Sequence, residues 1–115
     1  MWSVVFYQEN DRDPVGEFLG SLDTKTQVRF AWSIEQLRLR NVQAREPLVK
    51  HVEGKLWELR EESRTNIYRL FYFLASGRRI VFLHGFQKKT ERIPRREIEI
   101  ARRRMEQFTA EGGES

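Results

Sequence analysis

Hydrophobic positions change period several times along the chain, and the changes divide it into elements. Residues 2–7, Trp-Ser-Val-Val-Phe-Tyr, are β-branched and aromatic and predict a first strand. After a turn at 10–13, Asp13 followed by Pro14 has the form of a helix N-cap and first helical position. Val15, Phe18, Leu19 and Leu22 then recur at three-to-four spacing, which predicts a short amphipathic helix. Thr24 and Gln27 have capping-box spacing and open a second helix. Its inner stripe is Phe30, Ala31, Ile34 and Leu37, and it ends near Arg40–Asn41. The two helices are expected to form a hairpin.

Pro47 and Gly54 break the pattern, so residues 41–55 read as irregular. Three strands follow, Leu56–Arg60, Ile67–Leu74 and Arg79–Phe86, with turns at Glu61–Asn66 and Ser76–Gly77. That spacing predicts an antiparallel meander. From Pro94 the helical period returns, with Ile98, Ala101, Met105 and Phe108 on one stripe. The order is βααβββα, an α+β fold in which a small twisted sheet is backed by a helix hairpin. One domain is expected over residues 1–108, with 109–115 a frayed acidic tail.

Alternation sorts the strands into two faces. Trp57, Leu59, Tyr68, Leu70, Tyr72, Leu74, Val81 and Leu83 make a nearly all-apolar face, assigned to the hairpin. The opposite face collects Glu58, Arg60, Arg69 and His84 with Phe71, Phe73, Phe82 and Phe86. Charges at the centre of a sheet are costly unless solvated or paired. A concave polar surface at one end is therefore expected, with the aromatic end under the last helix. Arg69 on this reading faces solvent or a ligand, and its removal leaves no core cavity.

Composition narrows the function. The chain has 115 residues, 14 of them aromatic, and no cysteine. It is no disordered chain, disulfide scaffold or thiolate metal site, and it suits a reducing compartment. Its apolar runs are too short to span a bilayer, and its start lacks a signal-peptide pattern, so a soluble cytoplasmic protein is expected. Residues 41–108 carry 16 Lys/Arg against 9 Asp/Glu, whereas residues 1–40 carry 5 against 6. Such a distribution points to an anionic partner, nucleic acid foremost, or else to a solvated, salt-bridged surface.

Arg60 and Arg69 on neighbouring strands, with Lys88 and Lys89 just beyond the third, can converge on one anion. The competing reading is an ion network of the two arginines with Glu58 and Glu61. His84 is the histidine placed on a strand, either a general acid or base or a half-buried, hydrogen-bonded ring. His51 lies in a loop. The scattered His and carboxylates lack metal-ligand spacing, so no metal and no cofactor are expected. Trp57, Phe71 and Phe86 can stack bases or pack the core. Arg95, Arg96, Arg102, Arg103 and Arg104 make a basic helix face, partly neutralised by Glu97, Glu99 and Glu106.

Read in order, several of these strings carry a resemblance. Lys55-Leu-Trp-Glu-Leu-Arg60, Tyr68-Arg69-Leu-Phe-Tyr72 and Leu83-His84-Gly-Phe-Gln-Lys88-Lys89-Thr90 precede Pro94, Glu97-Ile98 and Ala101. Upstream stand Asp13-Pro-Val and Glu17-Phe-Leu-Gly-Ser-Leu22. Over residues 3–108 the chain resembles the HigB-like branch of the RelE/ParE toxins of type II toxin–antitoxin modules. The resemblance implies a ribosome-dependent mRNA interferase, and cleavage by the mRNA's own 2′-hydroxyl leaving a 2′,3′-cyclic phosphate and a 5′-hydroxyl. It implies as partners a helix-turn-helix antitoxin, the ribosome and mRNA, with DNA met only through the antitoxin complex and no membrane. Catalytic roles map onto Arg69 and onto Lys88–Lys89, with Arg60 matching the basic end of the preceding strand. For proton transfer, Lys88 or Lys89, its pKa lowered by neighbouring cations, stands against His84 and Glu58 as rivals. Lys55, Arg95 and Arg96 are the expected RNA contacts. Two departures stand out: Glu58 replaces an expected lysine, and Ile93–Pro94 lie where RelE-type toxins place a functional tyrosine. The ParE side of the superfamily implies an alternative, a non-enzymatic inhibitor of DNA gyrase, and a degenerate toxin that only binds its antitoxin is a third. Val15, Phe18 and Leu22, if incompletely buried, would offer the antitoxin an apolar surface.

Overall fold

The computed structural model describes residues 1–40 and 48–112. Its elements are β1 (Ser3–Phe6), α1 (Pro14–Gly20), α2 (Thr24–Arg40), β2 (Val49–Glu53), β3 (Leu56–Ser63), β4 (Asn66–Ala75), β5 (Arg79–Lys88) and α3 (Arg95–Ala110). The five strands form one sheet in the order β1-β5-β4-β3-β2. Only β1 runs parallel to its neighbour, pairing Ser3–Phe6 with Arg79–Phe82. The fold is therefore α+β with a mostly antiparallel sheet and a C-terminal helix, as the pattern predicts. Among the described residues, no helix is long and apolar enough to cross a membrane.

One strand departs from the sequence reading. Residues 49–53, read as irregular, form β2 and pair antiparallel with β3 through Val49–Leu59, Lys50–Glu58 and His51–Trp57. This strand is short, polar on its outer side and at the sheet edge, so it presents no alternating apolar signal. Gly54 marks the β2–β3 turn, at φ +53°. Pro47 and Asn41 lie outside the described residues, as do 113–115 of the expected tail. Helix α3 continues to Ala110, two residues past the expected domain end.

Local chemistry explains the helices. The Asp13 carboxylate accepts from the Gly16 amide at 2.9 Å, and Pro14 opens α1 without wasting a donor. At the start of α2 the expected capping box is replaced. Asp23 accepts from the Thr26 hydroxyl at 2.5 Å, and the Gln27 side chain donates to the Leu22 carbonyl at 2.8 Å. The inner stripe of α2 is Thr26, Phe30, Ser33 and Leu37, while Ala31 is exposed.

Two cores sandwich the sheet. On the hairpin side, Val15, Phe30 and Leu37 pack against Val49, Leu59, Tyr68, Leu70, Tyr72, Ile80 and Phe82. On the other side, Ile98 and Ala101 of α3 pack against Phe71, Phe73, Val81, Leu83 and Phe86, with Met105 and Phe108 half-buried. Val81, Leu83 and Phe82 thus face opposite to the assignment by strict alternation. The register explains why: it slips between Phe71 and Tyr72, which pair with His84 and Phe82, leaving Leu83 as an extra residue. Such a bulge reverses the side-chain sense for the rest of the strand. Val15 is fully buried, and Phe18 and Leu22 pack onto the hairpin-side core, so α1 keeps little apolar surface for a partner. The large apolar side chains left exposed are instead Val28, Trp32 and Leu39 of α2, with Met1.

Candidate active site

Register builds the site. Arg60 on β3 stands directly opposite Arg69 on β4, which in turn stands opposite Phe86 on β5. Lys88 faces Ile67 and so lies diagonally beside Arg69 on the same side of the sheet. In the adjoining row, Lys50 faces Glu58, which faces Phe71, which faces His84. Four strands in succession therefore bring Lys50, Arg60, Arg69 and Lys88 around one carboxylate, Glu58. Like charges directly opposite one another are unfavourable across a sheet, and Glu58 offsets this pair. Its carboxylate lies 3.7 Å from Arg60 Nε and 3.4 Å from Arg69 Nε.

Burial corrects the expected exposure of Arg69. Its side chain is 3% exposed and that of Glu58 4%, so neither faces open solvent. Arg69 donates through Nη1 to the Tyr68 carbonyl at 2.9 Å. Its Nε and the Glu58 Oε1 atom lack hydrogen-bond partners. The guanidinium is accordingly held below its ordinary pKa, chiefly by loss of hydration, with Glu58 opposing the shift. The ion network with Glu58 is present, but Glu61 does not join it. Its carboxylate accepts from Ser33 at 3.0 Å on the hairpin side.

The two lysines separate. Lys88 is half-buried, and desolvation first, then the Arg69 charge, pulls its pKa below the usual lysine value. Lys89 is exposed just beyond the strand end, and both line a shallow pocket with Thr65, Ile67 and Thr90. Lys50 completes the set and escaped the sequence reading because β2 was not recognised.

His84 belongs to a different neighbourhood. Its Nε2 lies 2.6 Å from Glu97 Oε1 of α3, and its ring stacks on Phe86 with centroids 5.6 Å apart. Burial lowers its pKa, with Glu97 pulling the other way and Arg104 adding to the fall. Arg104 turns inward rather than joining a solvated face, donating to the Leu83 carbonyl at 2.8 Å beside Tyr7. The expected RNA contacts sit at the β2–β3 turn and the start of α3. Lys55 is exposed in the β2–β3 turn. Arg95 bridges Glu53 at 2.7 Å and Glu99 at 2.9 Å, and Arg96 pairs with Glu97 at 3.3 Å. Phe71 and Phe86 are core residues, and Trp57 packs on the hairpin-side core against His51. The exposed aromatic near the cations is Trp32, whose position off the Phe30–Leu37 stripe was the available signal.

Fold and site together define a small α+β domain compatible with the RelE-like fold, with a cluster of cations on one sheet face. The family described as phage-derived protein Gp49-like (DUF891) matches residues 17–106, and the chain belongs to it. That family includes RelE/HigB-like toxins, and membership is compatible with a toxin of a toxin–antitoxin module. No curated protein matches the chain.

Proposed function

We propose that the protein is the toxin of a type II toxin–antitoxin module, of the HigB-like branch, and an endoribonuclease that cuts translated mRNA on the ribosome. The observation that carries this reading is the convergence of Lys50, Arg60, Arg69 and Lys88 from four adjacent strands around Glu58. Cleavage by the RNA's own 2′-hydroxyl needs no protein nucleophile. The O2′–P bond forms, the P–O5′ bond breaks, and the 2′-hydroxyl proton passes to water. Two demands remain, alignment of the attacking oxygen and neutralisation of charge on the phosphorane oxygens. Arg60, a third exposed on its side chain, holds the scissile phosphate. Arg69 acts from below, keeping Glu58 in place and adding positive potential. Lys88, its pKa lowered by burial and by Arg69, gives its proton to the leaving 5′-oxygen. Glu58 and His84 are poorly placed for that task, one buried between arginines and the other bound to Glu97.

Purified protein, translating ribosomes and a defined mRNA test the reading by toeprinting. Cuts within ribosomal A-site codons, absent with Lys88→Ala, are expected. Intact mRNA with arrested gyrase–DNA complexes instead would overturn it in favour of gyrase inhibition. Intact mRNA and active gyrase would leave antitoxin binding as the protein's role.

A further inference from the structure

Of the three large apolar side chains that α2 leaves exposed, two stand together near the cations. Trp32 is 62% exposed and Val28 63%, one turn apart, while Phe30 and Leu37 face the sheet. Both line a groove of about 750 Å³ that runs from α2 over the margin of β3. Leu48 adds to its apolar wall, and Arg60 and Arg69 reach it from the candidate active site. Strand β2 stops at the pair Val49–Leu59, so β3 beyond Arg60 lacks a strand neighbour on that side among the described residues. Arg69, one of the residues lining this groove, is nine-tenths buried or more, and its Nε has no hydrogen-bond partner. The groove is thus both apolar on one wall and cationic where it joins the site.

We infer that this groove is a nucleobase subsite, in which Trp32 stacks a base of single-stranded RNA whose adjoining phosphate rests on Arg60. The inference rests on the RNA-cleaving reading above and names how that site holds its substrate. A flat indole beside an apolar floor takes the π-face of a base, and the Arg60 guanidinium at the groove end takes the backbone charge. The carboxylates of Glu61 and Glu62 also line the groove. As acceptors they favour bases that present amino or imino donors on their pairing edge, which guanine does twice over. Trp32 is then a positioning and specificity residue.

The probe is a fluorescein-labelled RNA trinucleotide with 2′-O-methyl groups, which blocks the attacking hydroxyl, bound to the full-length protein and read by anisotropy. Trp32→Ala, at an exposed position, leaves the fold intact and should weaken binding by about 5- to 150-fold, the range of one stacked base. Trp32→Phe should recover most of that loss. Replacing the stacked nucleotide by an abasic one should weaken wild type equally and leave Trp32→Ala unaffected. Affinity within twofold of wild type for Trp32→Ala overturns the subsite, even where toeprinting confirms cleavage. The same holds if Trp32→Ala instead weakens only the complex with a purified antitoxin, which would make the groove a protein-docking surface. Loss of function with Lys88→Ala but not Trp32→Ala separates failure here from failure of the RNase reading.

Discussion

Removing the Arg69 guanidinium should unsettle the fold itself, not merely the chemistry. The Glu58 carboxylate is 4% exposed, and Arg69→Ala leaves it Arg60 Nε, at 3.7 Å, as its ion-pair partner among the described residues. Taking one partner from a buried pair costs about 3–5 kcal/mol. Domains of this size have about 5–15 kcal/mol in all. At about 4 °C per kcal/mol, the melting temperature should fall by about 12–20 °C. Geometry adds a second expectation of opposite sign. Arg69 Nε and Glu58 Oε1 are 3.4 Å apart without hydrogen-bond partners, so attraction between them offsets only part of their lost hydration. Replacing both by apolar side chains, Arg69→Met with Glu58→Leu, should return the melting temperature to within about 4 °C of wild type or above it. Cleavage should still be lost, because the positive field at Lys88 goes with the arginine. Scanning calorimetry on the three proteins reads all of this. An Arg69→Ala protein that melts with wild type, or a double variant as unstable as the single one, would refute the buried-pair argument.

Three other outcomes follow from named contacts. Lys88 is held below its usual pKa of 10.5, so single-turnover cleavage should fall as pH rises through that lowered value. Lys88→Arg, whose charge persists, should move the fall out of range, and an unmoved limb would remove Lys88 as the acid. His84 has a folded pKa below its unfolded value of about 6.5, so the unfolded chain takes up the proton first. Stability should therefore drop as pH falls through about 6.5 toward the folded value, and His84→Gln should flatten that slope in urea titrations run across the interval. A Cβ on Gly85 would sit 2.4 Å from Phe18 Cδ2 and 2.8 Å from Leu70 Cδ2. Gly85→Ala should lose about 1–3 kcal/mol by overpacking, with Phe18→Leu restoring part of it; equal urea midpoints for Gly85→Ala and wild type would contradict the close approach.

What the sequence determined by itself was the set of elements whose signal is local. Asp13–Pro14, the Phe30–Leu37 stripe and the Ile98–Phe108 stripe depend on neighbours within one turn, and each helix lies where its own period puts it. The strand faces of β3 and β4 were legible for the same reason, since alternation is a property of consecutive residues. Motif order likewise pointed to Arg60, Arg69 and Lys88 as one group. Tertiary structure decided the rest, because it depends on partners distant in the chain. Strand β2 has little pattern of its own and exists through its pairing with β3, which is what delivers Lys50 to the site. The bulge opposite Phe71–Tyr72 turned Phe82 and Val81 over, a shift of one residue that no alternation rule contains. Burial of Arg69 beside Glu58, and of His84 beneath α3, follows from what packs above them, and a charged letter in a strand carries no record of that. Trp32 is the converse case: an apolar residue that the fold left outside, next to the cations, because the core of α2 was already filled by Phe30 and Leu37.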